Sequence, residues 1–259
     1  MPSLQIAVQL RSLKLPFKQA LRVVNSWRVE GVEIDARGEL NPRDLSQTGR
    51  RQLRKLLDDY ELRVAAVGFR TRRGYDTPEQ LERRVEATKA AMQLAYDLGA
   101  SLVVNQVGRV PEKPEGPAWG LLLEALADLG AYGQQVGALL AAETGSEAGA
   151  DLRRLLDALP PGSLAVTLNP GNLIVNGFSP LEAIAELGPQ VQYVHAKDGV
   201  RDLARGRGVE VELGRGSADF AALIGALEEH DYRGYWAIER ENATDPVHEI
   251  AQAVNYLRS

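Results

Sequence analysis

The chain of 259 residues contains no cysteine, which excludes disulfide bonds and thiolate metal ligands and leaves the redox compartment open. Histidine is also scarce, with three in the whole chain, so multinuclear metal centres built from many imidazoles are excluded. No segment has about 18 uninterrupted apolar residues, the length that a membrane-spanning helix needs. The start, MPSLQIAVQL, lacks the basic region and long apolar run of a signal peptide. We therefore expect a cytoplasmic protein without a membrane partner.

The charge balance is mildly acidic. Lys and Arg number 30 against 35 Asp and Glu, a net charge of -5, which argues against a nucleic-acid partner. The composition, 44% hydrophobic and 25% charged, is that of an ordinary globular protein. The length suits either two small domains or one α/β barrel, but no low-complexity linker divides the chain. We expect one domain over residues 1–259 that binds or converts a small molecule. A homo-oligomer is compatible with this sequence.

Short apolar runs alternate with longer helical patterns along the whole chain, and proline stands where helices should begin, at Pro78, Pro180 and Pro246. The pattern gives eight strand-helix units, with strands at 4–10, 31–35, 62–69, 101–107, 138–144, 164–169, 191–197 and 235–240 and helices near 17–29, 42–60, 78–98, 117–136, 147–158, 180–187, 217–229 and 246–257. Continuous apolar strands indicate a parallel sheet covered by helices. Eight such units predict a single-domain α/β fold, the (β/α)8 TIM barrel, with an open doubly wound sheet as the alternative.

Four polar residues stand at the carboxyl ends of predicted strands, where a barrel of this type builds its site: Glu143, Asn169, His195 and Glu239. Each follows an apolar run that should be buried, and a buried carboxylate is costly unless a cation or hydrogen-bond donors compensate it. Two glutamates and a histidine therefore suggest one divalent metal ion, Mn²⁺, Mg²⁺, Co²⁺ or Zn²⁺. The alternative is that the glutamates pair with rim arginines such as Arg240.

The segments AAETG, LNPGNLIVNGF, VHAKDGVR, LGRGSADFAALIGAL and YWAIERE resemble the xylose isomerase-like TIM barrels, a superfamily of sugar isomerases and epimerases. The site pattern is closest to that of the metal-dependent ketose 3-epimerases. This resemblance implies a divalent metal held by Glu143, Asn169, His195 and Glu239, where the family has an aspartate at the position of Asn169. It also implies that Glu143 and Glu239 are catalytic and exchange a proton through an enediolate.

Five further residues are expected to bind substrate: Arg201, Asn172, Lys197, Glu33 and Gln106. Arg201 lies six residues after His195, as the resemblance implies, whereas Asn172 replaces the family's histidine. Lys197 should face the same side as His195 because strand side chains repeat every two residues, although a rim salt bridge is an equal alternative. Glu33 is as readily interpreted as a rim residue.

The sequence thus favours a metal-dependent isomerase or epimerase acting on a carbohydrate, which is a sugar or a sugar phosphate. Two alternatives remain open. The changes at Asn169 and Asn172 are compatible with a barrel that binds a sugar or related metabolite without turnover, and Lys197 could form a Schiff base. The basic loop RTRRGYD, residues 70–76, could recognise a phosphate or an acid, or simply be solvated. The glycine-rich stretch 206–216 could cradle a phosphate or form a flexible rim loop.

Overall fold

The apolar runs form eight parallel strands that close into a ring in the computed structural model, which describes residues 4–38, 40–202, 206 and 208–259. The first strand pairs with both the second and the last, and this pairing closes the barrel. The predicted TIM barrel is therefore confirmed. The barrel strands are β1 (Gln5–Gln9), β2 (Gly31–Asp35), β3 (Arg63–Gly68), β4 (Leu102–Asn105), β5 (Leu139–Glu143), β6 (Ala165–Leu168), β7 (Val191–Ala196) and β10 (Tyr235–Ile238).

Half of the eight predicted helices begin at the predicted residue, and the others begin two to five residues later; the largest difference is the helix predicted near 42, which begins at Gln47. A proline is the first residue of the helices that start at Pro117, Pro180 and Pro246, as suits a position whose N–H has no helical partner. The helices are α1 (Phe17–Ser26), α2 (Gln47–Asp59), α3 (Leu81–Asp97), α4 (Pro117–Val136), α5 (Gly149–Ala158), α6 (Pro170–Asn176), α7 (Pro180–Leu187), α8 (Phe220–Glu228) and α9 (Pro246–Arg258). Among the described residues, none of these helices is long and apolar enough to cross a bilayer.

The start of α3 differs from the prediction, because Pro78 lies in a loop and the helix begins at Leu81. The guanidinium group of Arg84 explains the difference. It donates hydrogen bonds to the carbonyl oxygens of Thr77 and Glu79, which hold these residues in the loop. Gln80 then turns into the helix with a left-handed backbone, at φ 56°.

The described residues also form elements that were not predicted: 3₁₀ turns at Leu10–Leu13 and Gly188–Gln190, helix α6, and an antiparallel hairpin of β8 (Asp198–Val200) with β9 (Val209–Val211). The hairpin fixes part of the glycine-rich stretch 206–216. The Asp198 carboxylate accepts hydrogen bonds from the backbone N–H groups of Gly214 and Gly216, at 3.0 and 2.8 Å. These two amides therefore bind an aspartate and are not available to cradle a phosphate.

Alanine side chains make up most of the apolar interior of the barrel, together with a few larger residues. An apolar cluster separate from the main core takes residues from seven strands, among them Ala7, Ala141, Ala165 and Ala237. Because side chains along a strand alternate between two faces, the residues two positions further along these strands point into the same interior. At the carboxyl ends of the strands those next residues are polar, and they form the site described below.

Candidate active site

His195 is the centre of a buried polar cluster at the carboxyl end of the barrel. Its Nδ1 lies 2.7 Å from Glu143 Oε1 and 3.5 Å from Glu239 Oε2, and its Nε2 lies 2.7 Å from Glu33 Oε2. Burial disfavours the charged imidazolium, but the three surrounding carboxylates outweigh burial and raise the pKa of His195 well above its usual value. Without a metal ion, each ring nitrogen therefore donates a hydrogen bond to a carboxylate, and a metal ion bound at Nδ1 would replace the proton on that nitrogen.

Glu143 is the last residue of β5 and Glu239 follows β10, and both side chains are fully buried. Burial opposes ionisation of Glu143, but His195, Arg70 and Asn169 outweigh it and lower the pKa of this carboxyl group to about 2. The pKa of Glu239 is also lowered, because the positive charges around it outweigh burial and the charge of Glu143. Both glutamates are therefore carboxylates at neutral pH.

Asn169 connects the two glutamates. Its Nδ2 donates hydrogen bonds to Glu143 Oε1 at 2.7 Å and to Glu239 Oε2 at 2.8 Å. Its Oδ1 accepts the backbone N–H of Asn172 at 2.9 Å and so caps the start of α6. Turning the amide over would place its oxygen against two carboxylates and its NH₂ group against a backbone N–H. Asn169 therefore presents a donor to the cluster, rather than the oxygen that a metal ion would need.

Arg70 enters the cluster from the loop between β3 and α3. Its guanidinium group contacts Glu239 and Glu241, and its Nη2 lies 3.7 Å from Glu143 Oε1. Burial lowers the pKa of Arg70, but the three carboxylates outweigh burial and raise it further above its ordinary value. The sequence did not single out Arg70, because RTRRGYD contains three arginines and no pattern shows which of them turns inward.

Lys197 lies two residues after His195 and faces the same cluster. Its Nζ is 2.9 Å from Glu241 Oε2 and 3.7 Å from Glu239 Oε2. Burial lowers the pKa of the amine, but the charges of Glu239 and Glu241 outweigh burial and raise it, so the side chain is an ammonium group. Burial raises the pKa of Glu241, whereas Lys197 and Arg70 lower it more, and this carboxyl group is ionised.

Glu33 lies inside the barrel rather than on the rim. Its Oε1 accepts a hydrogen bond from Gln9 Nε2 at 2.9 Å, while its Oε2 contacts His195. Gly68 on the neighbouring strand makes room for it, because a Cβ atom at residue 68 would lie 2.8 Å from Glu33 Oε1. Glu33 thus fixes the orientation of the imidazole ring from the side opposite Glu143.

The other residues predicted to bind substrate lie outside this cluster. Asn172 is partly buried and contributes its backbone N–H to Asn169. Gln106 is exposed and follows the end of β4. Arg201 is also exposed, and its guanidinium group lies beside Gly177 at the end of α6. None of the hydrogen bonds or ion pairs found in the described residues joins the side chains of these three residues to the buried carboxylates.

The residues present fit a divalent cation in one respect and compete with it in another. Glu143, His195 and Glu239 each offer one ligand atom, and these atoms lie within 4.8 Å of one another. Glu143 Oε2 is buried without a hydrogen-bond partner among the described residues, and Glu33 holds the far nitrogen of His195, as carboxylates commonly do behind a metal-bound histidine. Arg70 already places a positive charge on Glu239, so a metal ion must share that carboxylate with it or displace it.

Comparison with known proteins agrees with the barrel fold. The family model described as xylose isomerase-like TIM barrel matches residues 21–259. Inosose dehydratase of Bacillus thuringiensis (strain Al Hakam) is 25% identical over 219 residues, covering 73% of this chain and 72% of that protein. The inosose dehydratase of Geobacillus thermodenitrificans (strain NG80-2) is 23% identical over 278 aligned residues, covering 95% and 90%.

Solved structures share the fold over nearly the whole chain. A xylose isomerase domain protein from Planctomyces limnophilus superimposes with a TM-score of 0.87 at 24% identity, covering 99% of this chain and 96% of that one. The 3-keto-D-glucoside 4-epimerase of E. coli gives 0.77 at 18% identity, with 99% of both chains covered. A xylose isomerase-like TIM barrel protein from Mycobacterium smegmatis, solved in complex with magnesium, gives 0.77 at 19% identity, covering 99% and 95%. At these identities the likeness concerns the fold.

Proposed function

The chain belongs to the xylose isomerase-like TIM barrel family, and on this premise we propose that it is a metal-dependent isomerase or epimerase of a sugar or sugar phosphate. The relatives found include epimerases and dehydratases that act on sugar-like molecules. One observation carries the proposal for this chain. Two buried carboxylates, Glu143 and Glu239, converge on His195 and on the same amide group, so either can accept a proton from a carbon atom held between them.

Glu143, His195 and Glu239 would hold the divalent cation, Mn²⁺, Mg²⁺, Co²⁺ or Zn²⁺. When bound, such an ion supplies Lewis-acid stabilisation of negative charge on substrate oxygens. Glu33 would keep the imidazole ring in place through its contact with Nε2. Asn169 would act by donating hydrogen bonds to the two glutamates, because its oxygen is engaged by the first turn of α6.

The proposed proton transfer uses the ionised carboxylates of Glu143 and Glu239 and the cations beside them. One glutamate removes the proton from the carbon next to the substrate carbonyl, the C–H electron pair moves into an enediolate, and the carbonyl oxygen becomes negative. The cations of Arg70 and Lys197 stabilise that charge. Return of the proton by the same carboxyl group to the former carbonyl carbon gives an isomer, when the proton of the neighbouring hydroxyl group moves to the negative oxygen and that hydroxyl carbon becomes the new carbonyl. Return from the other glutamate, when that one carries the proton, gives an epimer.

Exchange of substrate C–H with D₂O tests this proposal without knowledge of the product. The protein loaded with Mn²⁺, Mg²⁺ or Co²⁺ is incubated with a panel of ketoses and ketose phosphates, and deuterium at carbon is measured by NMR. We expect exchange that falls by at least about 100-fold in Glu143→Gln and in Glu239→Gln, because a positioned acid or base contributes about that much or more. Glu124→Gln, on the exposed face of α4, is the matched control and should keep the wild-type rate.

Absence of exchange with every member of the panel would overturn the proposal. Binding of a sugar without exchange would instead support a barrel that binds a carbohydrate and does not turn it over, as the asparagines at 169 and 172 allow. A rate unchanged in both glutamine variants would also overturn it, because the carboxylates would then not carry the proton.

A second candidate function is dehydration, and the position of Lys197 favours it. After Glu239 or Glu143 takes the proton, the C–H electron pair forms a carbon–carbon double bond and the neighbouring C–O bond breaks. The leaving hydroxyl group needs a proton, which the buried ammonium group of Lys197, 3.7 Å from Glu239 Oε2, can supply so that water is released. The same protonated state disfavours a Schiff base at this lysine, since only the neutral amine is a nucleophile.

Mass spectrometry of the product separates the two functions. Isomerisation leaves the substrate mass unchanged, whereas dehydration lowers it by one water. Under dehydration, Lys197→Met should lower product formation by a much larger factor than exchange with D₂O, because the lysine proton is needed only after the carbon-bound proton has been removed. A product of unchanged mass in the wild type would exclude dehydration.

A further inference from the structure

A cleft of about 740 Å³ lies between the loop after β2 and the loop after β3, next to the first turns of α3. We call it the arginine cleft. Among its described lining residues the only carboxylate is Glu79. Six arginines line it: Arg37, Arg43, Arg72, Arg73, Arg83 and Arg84.

Arg84 is the buried member of this group, with 9% of its surface exposed. Its two terminal nitrogens donate hydrogen bonds to the backbone carbonyl oxygens of Glu79 and Thr77, and its Nε is buried without a partner among the described residues. None of the ion pairs found in the described part of the chain includes this guanidinium group. A buried cation without a counter-ion is costly, so an anion that entered the cleft would remove part of that cost.

The positive charge of the exposed arginines is also largely uncompensated. Arg73 pairs with Glu79 at 3.0 Å, but both side chains are more than half exposed, and such pairs contribute little. Arg72 and Arg83 are exposed and show no carboxylate within ion-pair distance among the described residues. Arg37 donates to a backbone oxygen and lies over the ring of a phenylalanine, contacts that leave its charge uncompensated.

The amino end of α3 adds to the positive potential of the cleft. This helix has 17 residues, and its N-cap residue, Gln80, makes no side-chain capping bond. The Leu81 N–H donates to the carbonyl oxygen of Pro78, whereas the following N–H groups of the first turn carry partial positive charge and attract anions. Glu82 is the acidic residue of that turn, but its side chain is exposed and does not line the cleft.

We propose that the arginine cleft binds the phosphate monoester group of a small molecule such as a sugar phosphate. The guanidinium group offers a planar fork of donors that matches phosphate oxygens. The volume exceeds what a lone phosphate needs and falls within the range of small-molecule sites, about 300–1,000 Å³. The net charge of -5 disfavours a polynucleotide, which is attracted by proteins that are basic over a wide surface.

The cleft is connected to the candidate active site through one short segment. Phe69 and Thr71 line the cleft, while Arg70 between them sends its guanidinium group to Glu239. An anion in the cleft would therefore contact the loop that supplies a cation to the carboxylate cluster. Binding of the anion itself does not depend on the chemistry proposed for that cluster.

Calorimetric titration of the whole protein tests the cleft, with inorganic phosphate, fructose 6-phosphate and unphosphorylated fructose as probes. We expect fructose 6-phosphate to bind at least tenfold more tightly than fructose. The double variant Arg72→Gln/Arg83→Gln should weaken both phosphate probes by at least tenfold while the circular dichroism spectrum is unchanged. Arg63→Gln, an exposed arginine at the opposite end of the barrel, is the matched control and should bind like the wild type.

The proposal is overturned if neither phosphate probe binds, or if Arg63→Gln weakens binding as much as the double variant does. Tighter binding of a short oligodeoxythymidylate than of fructose 6-phosphate would also overturn it, because the surface would then recognise a polyanion. The Glu143→Gln variant identifies the source of the phosphate. If this variant changes the affinity for fructose 6-phosphate alone, the phosphate belongs to a substrate that also reaches the carboxylates. If it changes the affinity for neither phosphate probe, the phosphate belongs to a separate effector. Both outcomes support a phosphate site in the arginine cleft. Since turnover is not measured, these results stand apart from the deuterium-exchange test.

Discussion

Replacement of Asn169 by aspartate tests most directly how the buried cluster is held together. The wild-type amide donates to both Glu143 and Glu239 and accepts the N–H of Asn172. An aspartate keeps the acceptor that caps α6 but loses both donated hydrogen bonds. It also places a third carboxylate against two others in a site without solvent.

The expected effect has opposite signs with and without a metal ion. A hydrogen bond to a charged group contributes about 1.5–3 kcal/mol, so the loss of two lowers the free energy of unfolding by about 3–6 kcal/mol in the metal-free protein. Repulsion between like charges adds to this loss. With a divalent cation present, the additional negative charge favours binding, and we expect the affinity for Mn²⁺ to rise at least tenfold, which corresponds to about 1.4 kcal/mol.

Urea unfolding at pH 8, with EDTA and then with Mn²⁺, measures both effects. The matched control is Asn176→Asp, which adds the same charge at an exposed position at the end of α6 and should change the free energy of unfolding by less than about 1 kcal/mol. If the metal-free Asn169→Asp protein were as stable as the wild type, Asn169 would not hold the glutamates by donated hydrogen bonds. An unchanged affinity for Mn²⁺ would refute the charge argument.

Two other substitutions probe buried charges. Burial raises the pKa of Glu147 from 4.5 to about 7. The folded protein therefore binds this proton more tightly than the unfolded chain, and the resulting contribution to the free energy of unfolding is fully present below about pH 4.5. It is lost as the pH rises to about 7, a change of about 3 kcal/mol. Relative to the wild type, Glu147→Gln should therefore gain stability between pH 5 and pH 8 in urea titrations, and a difference independent of pH would contradict this. Arg70→Gln removes a cation from Glu239, and we expect at least tenfold tighter Mn²⁺ binding by calorimetry together with a less stable metal-free protein. Equal affinity in variant and wild type would show that Arg70 does not compete with the metal ion.

The barrel could be predicted because its signal is repeated along the whole chain. Each strand is an apolar run because one face packs against the outer helices and the other against the barrel interior, and a proline or glycine marks several of the boundaries. The hairpin at Asp198–Val200 and Val209–Val211 was missed because its strands are short and depend on a tertiary contact, the Asp198 carboxylate that gathers backbone N–H groups from residues 214 and 216. A local pattern does not contain that information.

The carboxyl ends of the strands pointed to Glu143, His195 and Glu239, and the structure brings these three together. The orientation of the Asn169 side chain could have been predicted from the sequence. An asparagine before a proline is a favourable N-cap arrangement, so NPGN already indicates a helix that begins at residue 170 and occupies the oxygen of the asparagine side chain. Arg70 had no comparable signal, because its direction is set by carboxylates that lie some 170 residues away in the chain.

The closure of the ring by β1 and β10 also affects how the protein is made. During synthesis Glu33, Arg70 and Glu143 are available before the last strand, because Glu239 and Glu241 come later in the chain. Until β10 joins, Arg70 and Lys197 lack the two carboxylates that receive them, and the edges of β1 and β7 are unpaired. The barrel strand that is synthesised after the other seven therefore completes the sheet and the charge balance in a single step. Partly closed barrels retain unmatched charges as well as open edges, which favours a cooperative final docking over a stable seven-stranded intermediate.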